Sequence, residues 1–380
     1  MKGASRYING EVTRFDQKND GFKRPFWDPE MARVLEKFYN AAVPPKNIPG
    51  YELKDQSAVN ASWLLDSKFT DGNNGGNQGL YDWEWDGRFD FPRVPKGCKT
   101  KEQDPHILTF QVKKMARFFG ASLCGICRVD ERWLYSSAFI GDMNGGRTKN
   151  LNFPKTCKYA VVLAFEMDYE AIKYSPAHPS SIAVGLGYSK MAFTTGILAQ
   201  YIRGLGFQAL PSGNDTGLSI PLAIDSGLGE IARNGLLVTP LFGPRIRLAK
   251  VFTDMPMIQD APIEFGVWDF CRICKKCADQ CPSHSIEKEE AKGKPHNISN
   301  RDGILKWNVN AETCISWWAA NGTDCSNCIR VCPFNKPAGV LHDLVRYGIK
   351  HFKDLHRFFL WGDDRMGYGK RAKADEFWRF

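Results

Sequence analysis

The stretch CRICKKCADQCP at residues 271–282 decides which fold and which chemistry this sequence supports. Its cysteines follow the spacing C-x2-C-x2-C-x3-C, and a proline follows the last of them. A second run, CSNCIRVCP at residues 325–333, repeats the same ending. This doubled spacing is that of the bacterial two-cluster ferredoxins, in which the fourth cysteine of each run ligates the other cluster. The two runs therefore predict a ferredoxin-like module with two 4Fe-4S clusters.

Crossed ligation assigns four cysteines to each cluster. The ligands of the first cluster are Cys271, Cys274, Cys277 and Cys332. The ligands of the second cluster are Cys281, Cys314, Cys325 and Cys328. Ten residues separate Cys314 from Cys325, which is more than the ferredoxin spacing, so we expect a loop to bring Cys314 back to its cluster.

Structural zinc and disulfide bonds are the alternative uses of closely spaced cysteines. Zinc sites take four ligands in short C-x2-4-C pairs and do not account for a doubled run that ends in x3-C-P. Disulfide scaffolds are typical of small secreted domains, whereas this chain has 380 residues. Two further cysteines, Cys124 and Cys127, lie in the apolar run FGASLCGICRV, and we expect buried, inert thiols there rather than a redox pair.

The composition is that of a globular protein, with 43% hydrophobic and 24% charged residues. The formal charge of +9 does not indicate a nucleic-acid partner, because no Lys/Arg run exceeds two residues and acidic side chains are interspersed. The least polar long stretch, residues 181–202, contains Lys190 and several hydroxyl groups, so we expect no membrane span there. We also expect no export signal in the first ten residues, MKGASRYING.

Helical and strand-like segments alternate in the middle of the chain, which indicates a layered α/β or α+β fold, and of these we expect α+β. Residues 105–120 have the apolar spacing of an amphipathic helix, and a second helix is expected from about 189 to 203. Strands are expected in ASLCGICRV (121–129), CKYAVVLAFEMDY (157–169), GFQAL (206–210), NGLLVTPLFG (234–243) and RIRLAKVF (245–252).

These patterns divide the chain into four regions. They are a loop-rich N-terminal region that covers the pocket (1–104), a core (105–265) completed by residues 337–362, the ferredoxin-like module (266–336) and a C-terminal tail (363–380).

Two segments outside the cysteine runs carry a resemblance to a known family. They are GYSKMAFTTGILAQYIRGLGFQALPSGNDTGLSIPLAIDSGLGEIARNG at 187–235 and LFGPRIRLAKVFTDMPM at 241–257. A tyrosine with a helix, an SxN-type turn, a GPxxR strand and the two cysteine runs follow one another in this order. Over roughly residues 106–336 the sequence resembles the corrinoid-dependent reductive dehalogenases of organohalide-respiring bacteria.

The resemblance implies a cobalamin-binding core similar to the nitroreductase fold. It also implies a base-off cobalamin without a protein ligand below the cobalt, which agrees with the absence of a D-x-H-x-x-G motif from the sequence. By resemblance, Tyr188 is the proton donor, Arg247 is the cation beside it and Asn214 is a pocket amide. The residues of the neighbouring turn that would bind the cofactor are Ser212, Gly213 and Gly217.

Reductive dehalogenation needs two electrons, one proton and a place for the released halide. A phenol is protonated at neutral pH and can donate its proton. A guanidinium beside Tyr188 would stabilise the tyrosinate that remains. If the predicted helix starts near residue 189, its positive N-terminal end adds a smaller stabilisation of the same anion.

Aromatic residues make up 13% of the chain, and such rings line pockets for apolar ligands. We expect several tryptophans to exclude water from the halide site and to hold a small organohalide, either a chlorinated alkane or a chlorinated alkene. These candidates are Trp63, Trp83, Trp85, Trp307 and Trp317.

The family also implies partners and a location. Its members act at the outer face of the cytoplasmic membrane, docked to a small membrane-anchor protein and supplied by a membrane electron donor, and relatives suggest a homodimer. Their precursors carry a twin-arginine signal, which is absent from this sequence. From the resemblance we expect a peripheral membrane enzyme, and from the charge pattern we expect no nucleic-acid partner.

Two other functions stay open at this point. An epoxyqueuosine-reductase-like enzyme also uses cobalamin and two clusters, but it acts on tRNA and would need a basic extension and an acidic proton donor. An electron-carrier module without substrate chemistry would bind no corrinoid.

Overall fold

The computed structural model describes residues 3–40, 42–69, 97–142 and 144–379. The described residues form eight strands, which are β1 (Leu123–Arg128), β2 (Ser137–Ile140), β3 (Arg147–Asn150), β4 (Tyr159–Glu166), β5 (Ala209–Ser212), β6 (Glu230–Ile231), β7 (Leu237–Val238) and β8 (Ile246–Thr253). Each of the five segments that the sequence predicts as strands overlaps one of them.

The same residues form thirteen α-helices. They are α1 (Ala32–Val34), α2 (Leu53–Ser62), α3 (Leu64–Phe69), α4 (Pro105–Phe118), α5 (Tyr169–Ile172), α6 (His178–Gly204), α7 (Ser219–Asp225), α8 (Val267–Ile273), α9 (Lys276–Asp279), α10 (Ala311–Asn321), α11 (Asn327–Arg330), α12 (Val340–His351) and α13 (His356–Arg365). A π-helical segment, Leu35–Asn40, continues α1, and short 3-10 turns make up the rest of the helical structure.

A four-stranded sheet in the order β1-β4-β8-β5 forms the centre of the fold. All three strand pairs in it are antiparallel, which confirms the predicted α+β class. Alternate residues of a strand point to opposite faces. On one face of β4, Val161, Leu163 and Phe165 pack with α4 and α6. On the other face, Ala160, Val162 and Ala164 pack with α7. Both faces of the sheet are therefore covered.

The predicted amphipathic helix is α4, and its apolar stripe repeats every four residues. Leu108, Val112 and Ala116 are completely buried against the sheet layer. The side chain of Asp104 accepts a hydrogen bond from the His106 N–H and caps the helix, and Pro105 occupies the first helical position.

The prediction that the second helix starts near residue 189 is wrong. Helix α6 begins at His178, so ten helical residues precede Tyr188. Ser and Gly in the segment 180–187 have low helix propensity, and they obscure the helix in the sequence. The positive end of a helix acts only within its first turn, so it does not reach Tyr188.

By length and composition α6 is long and apolar enough to cross a membrane, and it is the one such helix among the residues described. However, 67% of its apolar window is buried inside the fold. It packs against β4, β5 and β8, which is the position of a core helix.

Helices α8 to α11 carry the cysteine runs, and α12 and α13 pack against α8. Ile349 of α12 is buried with Phe270 and Cys271 in one apolar cluster. The sequence assigned residues 337–362 to the sheet core, but these contacts place α12 beside the cysteine module.

Candidate active site and iron–sulfur centres

The four thiols assigned to the first cluster line one cavity, which contains about 290 Å³ of empty space including its opening to solvent. Cys271 lies on α8, Cys277 lies on α9, and Cys332 comes from the second run. Burial, with a smaller contribution from the nearby Cys332 thiol, raises the pKa of Cys274 to about 12. The structure thus brings together the four side chains that the crossed ligation pattern assigns to one cluster.

The four thiols assigned to the second cluster are also neighbours. Burial, with smaller contributions from Cys281 and Cys325, raises the pKa of Cys314 to about 12. Burial likewise raises the pKa of Cys328, and the same three thiols add to this effect. The segment that returns Cys314 to this group is helix α10 followed by a short turn, where a loop was expected.

The two groups adjoin each other. Burial is the main cause that raises the pKa of Cys277. The nearby thiols of Cys271, in its own group, and of Cys328, in the other group, raise it as well. All twelve cysteines are free thiols, and in the described ranges no three His, Cys, Asp or Glu side chains converge tightly enough to hold a single metal ion. Two groups of four thiols, one of them around a cavity, fit 4Fe-4S clusters better than zinc.

The thiols on β1 belong to neither group. Burial raises the pKa of Cys124 to about 12, and Cys127 is buried with a pKa that is raised for the same reason. Neutral, buried thiols are unreactive, which agrees with the prediction for this pair.

Tyr188 lies on α6 within reach of both residues that the sequence paired with it. The Asn214 side-chain amide donates a hydrogen bond of 3.0 Å to the Tyr188 phenol oxygen. The Arg247 guanidinium carbon lies 5.1 Å from the centre of the Tyr188 ring. Because the phenol oxygen accepts the bond from Asn214, its own hydrogen is free for another acceptor.

Trp63 covers one face of the Tyr188 ring. Its ring stacks on that of Tyr188 with centroids 4.6 Å apart and an angle of 22° between the planes. Trp63 follows α2, and α2 and α3 both pack on α6. The N-terminal region therefore contributes a wall to the phenol site.

Two glycines of α6 make this packing possible. A Cβ on Gly185 would lie 2.2 Å from the Ser62 hydroxyl and 2.4 Å from the Trp63 ring. A Cβ on Gly187 would lie 2.9 Å from the Arg247 side chain. The glycines therefore let Trp63 and Arg247 approach the helix on either side of Tyr188.

Lys250 is a functional candidate that the sequence did not reveal. It lies on β8, is completely buried, and donates hydrogen bonds to the Gly213 carbonyl, to the Gly217 carbonyl at 2.8 Å and to the Ser219 hydroxyl at 3.1 Å. The two carbonyls belong to the turn that carries Asn214, and Ser219 begins α7 directly after it. Lys250 thus holds the turn in place, and the turn positions the Asn214 amide that contacts Tyr188.

Asp324 is a second residue that the sequence did not indicate. It precedes Cys325, and burial raises the pKa of its carboxyl while the nearby Arg247 guanidinium opposes that rise. Asp324 therefore places an acidic side chain of the cysteine module near the cation of the phenol site. A motif search could not find it, because neither residue has a fixed sequence spacing from the other.

The remaining sequence candidates divide between two places. Trp307 is buried in the cysteine module, where it packs on Trp268 and donates from its ring nitrogen to the Glu289 carbonyl. Trp317 is half-buried on α10. Neither is brought to Tyr188 by a described ring contact. The candidates Trp83 and Trp85 lie outside the described residues.

Two buried polar atoms near the phenol site form no hydrogen bond with the described residues. Arg247 Nε and Asp215 Oδ1 are buried and have no hydrogen-bond partner among the described residues. Buried polar groups are normally hydrogen-bonded, so these atoms indicate a group that completes the site. Asp215 lies in the same turn as the predicted cofactor-binding residues Ser212, Gly213 and Gly217.

Comparison with known proteins bears on both centres. A family model described as "4Fe-4S dicluster domain" matches residues 270–336. The chain is 40% identical over 337 residues to the tetrachloroethene reductive dehalogenase of Desulfitobacterium hafniense, which covers 78% of this chain and 60% of that relative. It is 30% identical to the tetrachloroethene reductive dehalogenase of Sulfurospirillum multivorans over 99% of this chain and 83% of the relative.

The chain belongs to the reductive dehalogenase family. The solved reductive dehalogenase NpRdhA, in complex with 3-bromo-4-hydroxybenzoic acid, has a TM-score of 0.73 and 23% identity to this chain. The superposition covers 97% of this chain and 48% of that one, which shows a shared fold. The chain spans about three fifths of its Desulfitobacterium relative and about half of the solved chain. Epoxyqueuosine reductase of Bacillus subtilis matches only 29% of this chain, at 28% identity.

Proposed function

We propose that this chain catalyses the corrinoid-dependent replacement of a halogen by hydrogen in a small organohalide. The observation that carries the proposal is the phenol of Tyr188, which is held by Asn214 and Arg247 in a chain that also carries a dicluster domain. The overall change consumes two electrons and one proton and releases a halide ion.

The described residues fit a bound cobalamin at one face of the phenol site. The turn from Ser212 to Gly217 lies beside Tyr188, and the unpartnered atoms Arg247 Nε and Asp215 Oδ1 offer it a donor and an acceptor. A reductive dehalogenase of the same fold has been described as suggesting a mechanism for B12-dependent dehalogenation, which supports the choice of cofactor. When bound and reduced, cobalamin supplies the electrons that cleave the carbon–halogen bond.

The residues of this chain manage the proton. Tyr188 holds the proton on its phenol oxygen and donates it to the carbon that loses the halogen. The Asn214 amide already donates to this oxygen, and that bond strengthens as the oxygen becomes negative. The Arg247 guanidinium lies 5.1 Å from the ring centre and stabilises the same negative charge.

Trp63 and the two cysteine groups supply the other requirements. The Trp63 ring excludes water on one side of Tyr188 and presents an apolar surface to the substrate. The cysteine module holds the clusters through which electrons enter the chain. Two relatives are named for tetrachloroethene, so we propose chlorinated ethenes as the first substrates to test.

We also propose the location and partners that the family implies. These are the outer face of the cytoplasmic membrane, a small membrane-anchor protein, a membrane electron donor and a homodimeric state. An exposed apolar surface on α12 and α13 supports a peripheral membrane position.

The proposed function is tested by the release of chloride from tetrachloroethene, supplied with a chemical reductant to the protein loaded with clusters and cobalamin. Tyr188→Phe should retain both cofactors and lose about 100- to 10,000-fold in turnover, because the general acid is removed. The matched control is Tyr201→Phe, a half-buried tyrosine of the same helix, which should keep its turnover. Near-normal turnover in Tyr188→Phe would exclude Tyr188 as the proton donor.

A further inference from the structure

The helices α12 and α13 expose a large apolar surface. Eight apolar side chains of this helical hairpin are between 45% and 76% exposed. We call them the hairpin patch; they are Val340, Leu341, Leu344, Tyr347, Phe352, Leu355, Phe358 and Trp361. Monomeric soluble proteins rarely leave so much contiguous apolar surface uncovered, so the patch indicates a binding partner.

Ring contacts connect side chains within each part of the hairpin patch. On α12, Leu344 and Tyr347 lie one turn apart, and the Tyr347 ring contacts that of Phe352 in the turn at 6.4 Å. On α13 the rings of Phe358 and Trp361 stack with centroids 5.8 Å apart. The opposite side of the hairpin is anchored, because Ile349 and His356 are buried. Each helix thus buries one face and presents a second apolar face outward.

Cationic side chains share the outward face of α13. With 3.6 residues per turn, Arg357 lies one turn before Trp361, and Arg365 lies one turn after it. Both arginines are exposed, and neither forms an ion pair with any residue in the described ranges. Aromatic rings therefore alternate with unpaired positive charge along this helix.

The α12 side of the hairpin adds further positive charge. Lys350 lies three residues after Tyr347, is exposed, and has no ion-pair partner in the part of the chain that the structure describes. Lys353 in the turn pairs with Asp269. Asp354 is the exposed acid of the turn, and Asp364 of α13 pairs with Lys276. The unpaired charge around the hairpin patch is therefore mainly positive.

We propose that the hairpin patch lies on an anionic lipid surface, with α12 and α13 parallel to the membrane plane. Apolar and aromatic side chains on one face, flanked by Lys and Arg, are the features of helices that bind at the lipid interface. Tyr and Trp rings prefer the headgroup level, where the ring is apolar and its polar atom is hydrated. The unpaired arginines complement the negative charge of lipid headgroups.

A protein partner would fit this surface less well. Lysine is depleted in protein interfaces, whereas here the exposed Lys350 stands beside Tyr347 without an ion-pair partner among the described residues. A lipid contact made by this chain's own helices is also separate from docking to an anchor protein. It does not depend on the proposed reaction.

Flotation with lipid vesicles tests the proposal on the full chain with its clusters. The wild type should bind vesicles of phosphatidylcholine with about 30% phosphatidylglycerol at least about tenfold better than phosphatidylcholine alone. The double variant Phe358→Ser/Trp361→Ser should lose at least about tenfold in this binding, because the inserted rings are removed. The double variant Arg357→Gln/Arg365→Gln should lose most of the preference for the anionic lipid.

The matched control is Phe110→Ser/Phe118→Ser, which removes two rings that are 66% and 81% exposed on α4. It should bind vesicles as the wild type does. Equal iron content and thermal unfolding midpoints among all variants would show that they fold alike.

Three results would overturn the proposal. They are a wild type that does not bind anionic vesicles, a Phe358→Ser/Trp361→Ser variant that binds as well as the wild type, and equal loss in the α4 control. If sedimentation instead shows an oligomer that only the α13 variant dissociates, without vesicle binding, the surface is an interface between copies of this chain.

Discussion

The cysteine module and the phenol site are built in opposite ways. The eight predicted cluster ligands lie from Cys271 to Cys332, and seven of them fall in two short runs. The phenol site joins Trp63, Tyr188, Asn214 and Arg247, which come from separate helices, a turn and a strand. Ligand spacing along the chain determines the first centre, whereas the second exists only after α6, β8 and the N-terminal region have packed.

The largest effect is expected when the local pattern of the module is broken. Cys274→Ala removes one of four thiols around the first cavity, and iron per chain should fall from about eight to about four with loss of dehalogenation. The control Cys157→Ala changes a buried thiol of the sheet layer and should keep its iron. Iron analysis of anaerobically reconstituted protein measures both. Full iron in Cys274→Ala would show that this thiol is not a ligand.

A smaller effect is expected when the packing that supports the phenol site is loosened. Lys250→Met keeps the length of the side chain and removes the three hydrogen bonds that hold the turn of Asn214. The carbonyls left without a donor should lower the free energy of unfolding by about 1–3 kcal/mol. Turnover should fall about tenfold because the amide loses its position on Tyr188.

The control for Lys250→Met is Lys190→Met, which removes an exposed lysine from α6. Denaturant unfolding and chloride release should leave this variant unchanged. Equal stability of Lys250→Met and the wild type would show that the buried ammonium does not hold the turn.

The same lysine should be visible in the pH dependence of stability. Burial lowers the pKa of Lys250 to about 8, although the nearby Asp215 carboxylate acts to raise it. The unfolded chain, with an ordinary lysine, therefore binds more protons than the folded chain between pH 8 and about 10.5. The stability of the wild type relative to Lys250→Met should rise across this window and fall as the pH drops towards 8. A flat difference would contradict a lowered pKa.

The smallest effect is expected at the wall of the phenol site. Trp63→Leu removes part of the apolar surface proposed for the substrate, and a loss of about 0.5–1.5 kcal/mol in contact with the organohalide should raise KM about two- to tenfold. The value of kcat should change less, because Tyr188 keeps its contacts with Asn214 and Arg247. Trp27→Leu, at a 37% exposed ring in another part of the chain, is the control. A large loss of kcat with unchanged KM would assign Trp63 a different role.

The contrast between the two centres explains what the sequence could predict. Fixed spacing predicted the cluster ligands, and short apolar runs predicted the strands that form the sheet. Tyr188, Arg247 and Asn214 were found by resemblance, since nothing in their local sequence distinguishes them from packing residues. Their contacts then agree with the pairing that the resemblance implied.

The features that the sequence missed depend on tertiary packing. The start of α6 was misplaced because Gly185 and Gly187 have low helix propensity, although they are needed for close contact with Trp63 and Arg247. Lys250 alternates with apolar residues on β8, and only the antiparallel register places it beneath the turn that follows β5. Among the tryptophan candidates, Trp307 was assigned by residue type alone, and it packs inside the cysteine module.

The most direct test of the account is the corrinoid content of the chain after anaerobic reconstitution with iron, sulfide and cobalamin. The account predicts about one cobalamin together with about eight irons per chain after gel filtration, because both the phenol site and the two thiol groups are present. Protein that retains about eight irons but no cobalamin would contradict it, since Tyr188 would then stand beside no source of electrons.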